Sequence, residues 1–234
     1  MNRNFTRKYL FVTILSVLLL FFFNQKIFSQ PAQFQKVIND VSHYVKTKNN
    51  ADKAVPGEVI WNGDRITTGE RSFASVFFTD DRSLLIIRDN SSVEIFGKKK
   101  NGSYAKNTFI GKGELNFKIT KRKDQDFIFT TPTAIASIRG TTGFVKSLPN
   151  LSTLIYIDTG LVAVNALLGK KQSGSVGSGM FASIDSLGNV NIIHASDSIR
   201  KEYNSTKSDE TKKIIIKTDH GDIIIEYLKD EDSH

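Results

Sequence analysis

The 234 residues suffice for one self-sufficient core with extensions. The absence of cysteine excludes disulfides, thiolate metal sites, cysteine nucleophiles and the lipid-attachment cysteine of a lipoprotein signal. A formal charge of +8 invites a nucleic-acid reading, but Arg3, Arg7, Lys8 and Lys26 lie in the first thirty residues, which hold no acid; the remainder carries 28 basic against 24 acidic residues, or +4.

Met1 to Lys8 is short and basic, Tyr9 to Phe23 is an uncharged apolar run, and Asn24-Gln25-Lys26 leads into Ile27-Phe28-Ser29-Gln30. This is the pattern of a secretory signal (residues 1–29), with the cut expected between Ser29 and Gln30. Retention as an anchor is the alternative, because a fifteen-residue helix covers roughly 22 Å of a hydrocarbon core about 30 Å thick. Either way the basic end stays inside and the rest is exported to the periplasm or cell surface.

In the segment 30–54, Phe34, Val37, Ile38, Val41, Tyr44 and Val45 recur at spacings of three and four. They predict an amphipathic helix over Gln33 to Thr47, as a lid on the edge of the β domain or a partner-binding helix. From Val55 the texture changes to short alternating runs separated by turn residues every eight to twelve positions, which predicts an all-β region, 55–194. Expected strands are Glu58 to Trp61, Arg65 to Thr67, Phe73 to Thr79, Ser83 to Arg88, Ser92 to Phe96, Tyr104 to Ile110 and the alternating Leu115, Phe117, Ile119; Gly97 to Ser103 reads as a basic loop containing Asn101-Gly102. Phe127 and Phe129 continue the alternation into an Ile138-Arg139-Gly140-Thr141 corner. A glycine in such a corner supplies positive φ.

Ser173 to Gly179 reads as a flexible Ser/Gly connector, Met180 to Ile193 as a hairpin around Leu187-Gly188-Asn189, and Asp197 to Tyr203 as a short helix capped by Ser196 or Asp197. In the terminal segment 195–234, polar Asn204 to Thr211 is expected to be mobile. Lys213 to Thr218 and Asp222 to Tyr227 flank Asp219-His220-Gly221, a hairpin with isoleucine on both faces, which implies burial on both sides or an adhesive edge.

Gly57, Gly63-Asp64, Thr68-Gly69, the pair Gly111 and Gly113, Thr131-Pro132, Arg139-Gly140-Thr141 and Asp158, Gly160, Val162 follow in an order that resembles the FecR domain, between about Val55 and Gly169. One element departs: where the family has an Asp-Gly-Ser turn, this chain has Asp80-Asp81-Arg82-Ser83. The resemblance implies an all-β fold of stacked short strands, a β-sandwich or β-roll of β-helix-like character, with the N-terminal helix and C-terminal hairpin appended. It also implies envelope location and contact with an outer-membrane transducer. Regulators of the iron-dicitrate type carry an anti-sigma domain in the cytoplasm, where the leader of this chain would leave about eight residues.

Chemistry is sparse. The histidines, His43, His194, His220 and His234, form no His-x-x-x-His or Glu-x-x-His pair, and no G-x-S-x-G elbow or phosphate-binding loop is present. Asp219, His220 and Asp222 satisfy a turn without a metal. The β runs offer few acids for a glycosidase pair. Lys98-Lys99-Lys100, Lys121-Arg122-Lys123 and Lys170-Lys171 read as solvated charges at strand ends, the alternative being a phosphate-tracking patch. The binding candidates are therefore Arg139, Gly140 and Thr141. Arg139 is either a buried clamp satisfying turn carbonyls or Asp64 or Asp158, or the floor of an anionic site. The expected protein is a non-enzymatic, exported binding module with no cofactor and no metal. Its partner is an envelope protein or glycan rather than nucleic acid, and it meets the membrane only through an uncleaved leader. The alternative is a membrane-anchored regulator of iron uptake or sigma-factor signalling.

Overall fold

The structure, a computed structural model, describes residues 32–48, 50–100, 103–122, 126–208, 212–218 and 221–227. The predicted leader with its cut before Gln30, the Asn101-Gly102 turn, Lys123, the Asp219-His220 turn and His234 lie outside the described residues. Among the described residues, no helix is long and apolar enough to cross a membrane.

The chain is mostly β. In order come β1 (Ala32–Ile38), β2 (Val41–Tyr44), β3 (Ala51–Lys53), β4 (Val59–Ile60), β5 (Asp64–Thr68), β6 (Phe73–Phe78), β7 (Leu84–Ile87), β8 (Ser92–Lys100), β9 (Ser103–Lys118) and β10 (Phe127–Thr130). Next are β11 (Ala134–Ile138), β12 (Thr142–Leu148), β13 (Ser152–Thr159), β14 (Leu161–Ala166), β15 (Ser173–Gly177), β16 (Met180–Ile184) and β17 (Val190–His194). Helix α1 (Asp197–Ser208) precedes the hairpin β18 (Lys212–Thr218) and β19 (Gly221–Tyr227).

The first seventeen strands form one open, connected sheet, which hydrogen bonding resolves into two ladders. One runs β4-β1-β6-β7-β9-β12-β13-β16-β17. The other runs β3-β2-β5-β8-β9-β10-β11-β14-β15. Strand β9 belongs to both: Ser103 to Lys112 pairs with β8, and Gly113 to Lys118 pairs with β12. It changes ladder at Gly113, where φ is +90° and an added Cβ would run into Ser91. That bend merges the two strands predicted around Gly111 and Gly113 into one, and turns most of the predicted Gly97 to Ser103 loop into paired backbone.

One apolar cluster draws on both ladders. Phe34, Phe78 and Leu85 come from the first and Ile66, Ile95, Phe129 and Ile138 from the second, all fully buried or nearly so. Each such side chain contributes about 1.5–3 kcal/mol by leaving water. Phe117 and Phe129, one from each ladder's face, stack with ring centroids 4.9 Å apart.

The predicted N-terminal helix is corrected. Gln33 to Thr47 contains β1 and β2. A bulge in β1 between Phe34 and Lys36 and a tight turn at Asn39, with φ +59°, shift the alternating apolar positions into three- and four-residue spacings that imitate a helix. The β-branched Val37, Ile38 and Val41 favour the extended form. The Ser/Gly connector is also corrected: Ser173 to Gly177 is β15, anchored by fully buried Val176 opposite Val162. Helix α1 runs beyond the predicted Tyr203 to Ser208, into residues expected to be mobile, because Thr206 and Glu202 find partners on the sheet. Ser196 is its cap, the Oγ accepting from the Ile199 N–H at 3.4 Å.

Candidate interaction surface

Most of the residues that carried the resemblance share one structural role; the exceptions are Thr131-Pro132, in the turn joining β10 and β11 of one ladder, and Gly111 and Gly113, inside β9. Gly57 lies between β3 and β4, Gly63-Asp64 between β4 and β5, Thr68-Gly69 between β5 and β6, Arg139-Gly140-Thr141 between β11 and β12, and Asp158 to Gly160 between β13 and β14. At each of these places the chain passes from one ladder to the other. Most of the motif marks crossovers, where chain geometry favours glycines and small polar residues.

The Arg139–Thr141 crossover shows this closely. Gly140 has φ +63°, and a Cβ there would lie 2.7 Å from Cβ of Lys121. Thr141 is buried; its hydroxyl donates to the Arg139 carbonyl at 3.2 Å, and its own carbonyl accepts from the Ile119 N–H at 2.9 Å. Arg139 points elsewhere. Its side chain is 45% exposed, and its guanidinium meets Asp126, with Nε at 2.9 Å and an Nη at 2.8 Å. The clamp to Asp64 or Asp158 is therefore corrected: an exposed carboxylate thirteen residues away meets the guanidinium first. The anionic-floor reading loses its free cation as well.

Next to this crossover lies a charge cluster that sequence spacing did not reveal. Lys106 Nζ, 3% exposed, meets Asp80 Oδ1 at 2.6 Å and Asp81 Oδ2 at 2.5 Å, and sits 4.6 Å from the Phe78 ring centroid. Arg122 adds a 2.8 Å contact to Asp80. The family's missing turn glycine is explained here: Arg82 adopts φ +57° in its place, while the extra aspartate holds Lys106. The signal lay in the doubled Asp80-Asp81, which only tertiary pairing could connect to position 106. Three aspartates, Asp80, Asp81 and Asp126, match Lys106, Arg122 and Arg139, so the cluster is neutral and fastens loops rather than attracting an ion.

A second buried cluster surrounds His43, which is wholly inaccessible. Nδ1 lies 2.7 Å from Glu58 Oε1 and Nε2 3.0 Å from Asp64 Oδ2. Asp64 also accepts from the Trp61 N–H at 2.7 Å and the Lys46 N–H at 2.9 Å. Burial by itself would lower the imidazole pKa from 6.5; the hydrogen bonds and charges of the two carboxylates outweigh it, and the pKa is raised. Burial likewise pushes the Asp64 carboxyl up, but the bonds from His43, Lys46 and Trp61 prevail and hold it below 3.8. With both ring nitrogens engaged, His43 offers no lone pair to a substrate or metal. Among the described residues no group of three His, Asp or Glu side chains is arranged to hold a metal ion. Sequence reading set His43 aside because its partners stand fifteen and twenty-one residues away.

Among the described residues the ladders end at β4, β17, β3 and β15, and helix α1 packs on the outer face of the β7-β9-β12-β13-β16 region. On that face Phe144 and Tyr156 meet Tyr203 of α1, with Tyr156 and Tyr203 centroids 5.3 Å apart. Lys146, held by Glu114 at 3.0 Å and Glu202 at 3.7 Å, fastens the helix from the other side.

Comparison with known proteins follows this geometry. Two solved structures of anti-sigma factor candidates from Parabacteroides distasonis ATCC 8503 are similar to this chain. One has 14% identity and a TM-score of 0.48, covering 56% of this chain and 60% of its own. The other has 12% identity and a TM-score of 0.49, covering 64% and 66%. This chain thus spans less than two thirds of either protein. No curated protein matches it. The model of the FecR protein family matches residues 64–157, from buried Asp64 at the start of β5 to Ile157 in β13.

Proposed function

We propose that the chain is a non-enzymatic interaction module of bacterial envelope signalling, exported to the periplasm or cell surface and binding a protein or glycan there without a cofactor. The observation that carries this reading is the match of the FecR family model to residues 64–157. The two ladders around one core act as a β-roll-like scaffold, and the sides of β4, β17, β3 and β15 that pair with no strand among the described residues supply backbone groups to which a partner strand can add. The fastened charges of His43 and Lys106 support a structural rather than a catalytic use of the titratable groups.

The test uses the full chain in its host. Envelope fractionation with intact-mass analysis is expected to place the protein outside the cytoplasm with Gln30 as its first residue; an intact Met1 in the membrane fraction supports the anchored regulator instead. In a strain lacking residues 64–157, transcripts of a sigma-dependent gene set are expected to change. A cytosolic protein whose loss leaves the transcript profile unaltered overturns the proposal.

A further inference from the structure

The outer face beside α1 contains a groove that the fold does not fill. A cavity of about 120 Å³ opens there, lined by Leu84 and Ile86 of β7, Phe117 and Lys118 of β9, Thr142 of β12 and Tyr203 of α1. For comparison, an apolar cavity of about 150 Å³ accommodates benzene, so this one suits an aliphatic side chain. Asn116 also lines it. That side chain is 3% exposed; its Nδ2 donates to Thr206 Oγ1 at 2.8 Å, while Oδ1 has no hydrogen-bond partner. A desolvated acceptor without a donor is costly. The groove thus asks for an apolar side chain accompanied by a donor.

The hairpin β18–β19 has the complementary character. Its strands pair with each other and with no other strand among the described residues, and an isolated two-stranded hairpin is marginal in water. The register sorts its residues. Lys212 pairs with Tyr227, Ile214 with Ile225, Ile216 with Ile223 and Thr218 with Gly221, so four isoleucines and a tyrosine share one face. Lys213–Glu226, Ile215–Ile224 and Lys217–Asp222 fall on the other, where two charge pairs bracket one isoleucine pair. Isoleucine thus stands on both faces, as the sequence predicts, four on one and two on the other.

Chain continuity supplies the third argument. Thr206, bonded to Asn116 at the groove, lies two residues before the end of α1, and β18 begins four residues beyond that end. Four extended residues span at most about 14 Å, so the hairpin starts within reach of the groove at a high effective concentration. We propose that the face bearing Ile214, Ile216, Ile223 and Ile225 docks on the groove between β7 and α1, with an aliphatic side chain over Leu84 and Ile86 and a donor to Asn116 Oδ1. The docking surface is thereby a self-contact of this chain, independent of the signalling reading.

The cysteine-free chain permits a clean test. Leu84→Cys is combined in the full chain with one of Ile214→Cys, Ile216→Cys, Ile223→Cys or Ile225→Cys, and in controls with Ile215→Cys or Ile224→Cys. Under mild oxidation at least one apolar-face pair is expected to form an intramolecular disulfide at least tenfold faster than either control. Equal rates on both faces, no disulfide, or a disulfide-linked dimer overturns the proposal, the last assigning the groove to a second copy. Hydrogen exchange of the unsubstituted chain against one ending at Ser208 covers the case of poorly folding pairs. Exchange in β7 is expected to rise at least tenfold without the hairpin, and unchanged protection overturns the docking.

Discussion

Replacing Asp64 with alanine probes the most concentrated buried charge in the fold. The carboxylate, 1% exposed, accepts from the Trp61 and Lys46 amides and from the His43 ring. Its removal strands two backbone donors, each worth about 1–3 kcal/mol when left unsatisfied. It also deprives the fully buried His43 ring of one of its two carboxylate partners, and breaking a buried charged pair costs about 3–5 kcal/mol. These overlap, because Glu58 remains at 2.7 Å from Nδ1, so a net loss of about 3–5 kcal/mol is expected. Trp61, the sole tryptophan, adjoins the site and reports unfolding by fluorescence. A urea titration should show the midpoint lowered by more than about 1 M, given a slope of about 1–3 kcal/mol per molar. The pH profile adds a second check. The folded-state pKa of His43 is raised, so its contribution is complete below the unfolded value near 6.5 and is lost as pH rises through the folded value. The folded-state pKa of Asp64 is lowered, so its contribution is present above the unfolded value near 3.8 and is lost as pH falls through the folded value. Alanine at 64 should flatten the acid limb and shallow the alkaline one. A loss under about 1 kcal/mol, with both limbs intact, refutes the claim that this cluster pins β2 and β5 together.

Three further perturbations separate structural roles from binding roles. Gly140→Val should cost about 2–4 kcal/mol, from the left-handed backbone and the Lys121 contact, and lower the melting temperature by about 5–12 °C; calorimetry matching the parent would show that the crossover tolerates a Cβ. Lys106→Met should leave Asp81 without its nearest counter-charge and Asp80 with Arg122 alone, and destabilise by about 3–5 kcal/mol, with partial recovery when both aspartates become asparagine, measured by the same urea titration. Arg139→Ala removes an exposed pair worth at most about 1 kcal/mol, so stability and inorganic phosphate binding, followed by calorimetric titration, should both be unaltered.

The strands were largely legible in the sequence because a period of two with glycine and aspartate punctuation is a local signal. Leu115, Phe117, Phe127 and Phe129 announce their buried faces one by one. The N-terminal strands were illegible for a local reason too: a bulge and a left-handed asparagine displaced the pattern into helical spacing. The candidate site fared differently. Arg139 was visible as an unusual charge beside Gly140, but nothing nearby in sequence could distinguish Asp126 from Asp64 or Asp158 as its partner.

By itself the amino-acid order determined a cysteine-free, β-rich chain with a series of tight turns in FecR order, since each depends on residues within a few positions of one another. Tertiary structure decided that those turns are crossovers between two ladders sharing β9. It brought His43 to Asp64, Lys106 to the doubled aspartate, and Asn116 to Thr206 across ninety positions. Pairing over such separations is chosen by which faces can bury together and which charges can be neutralised, a property of the assembled core that no short window of sequence contains.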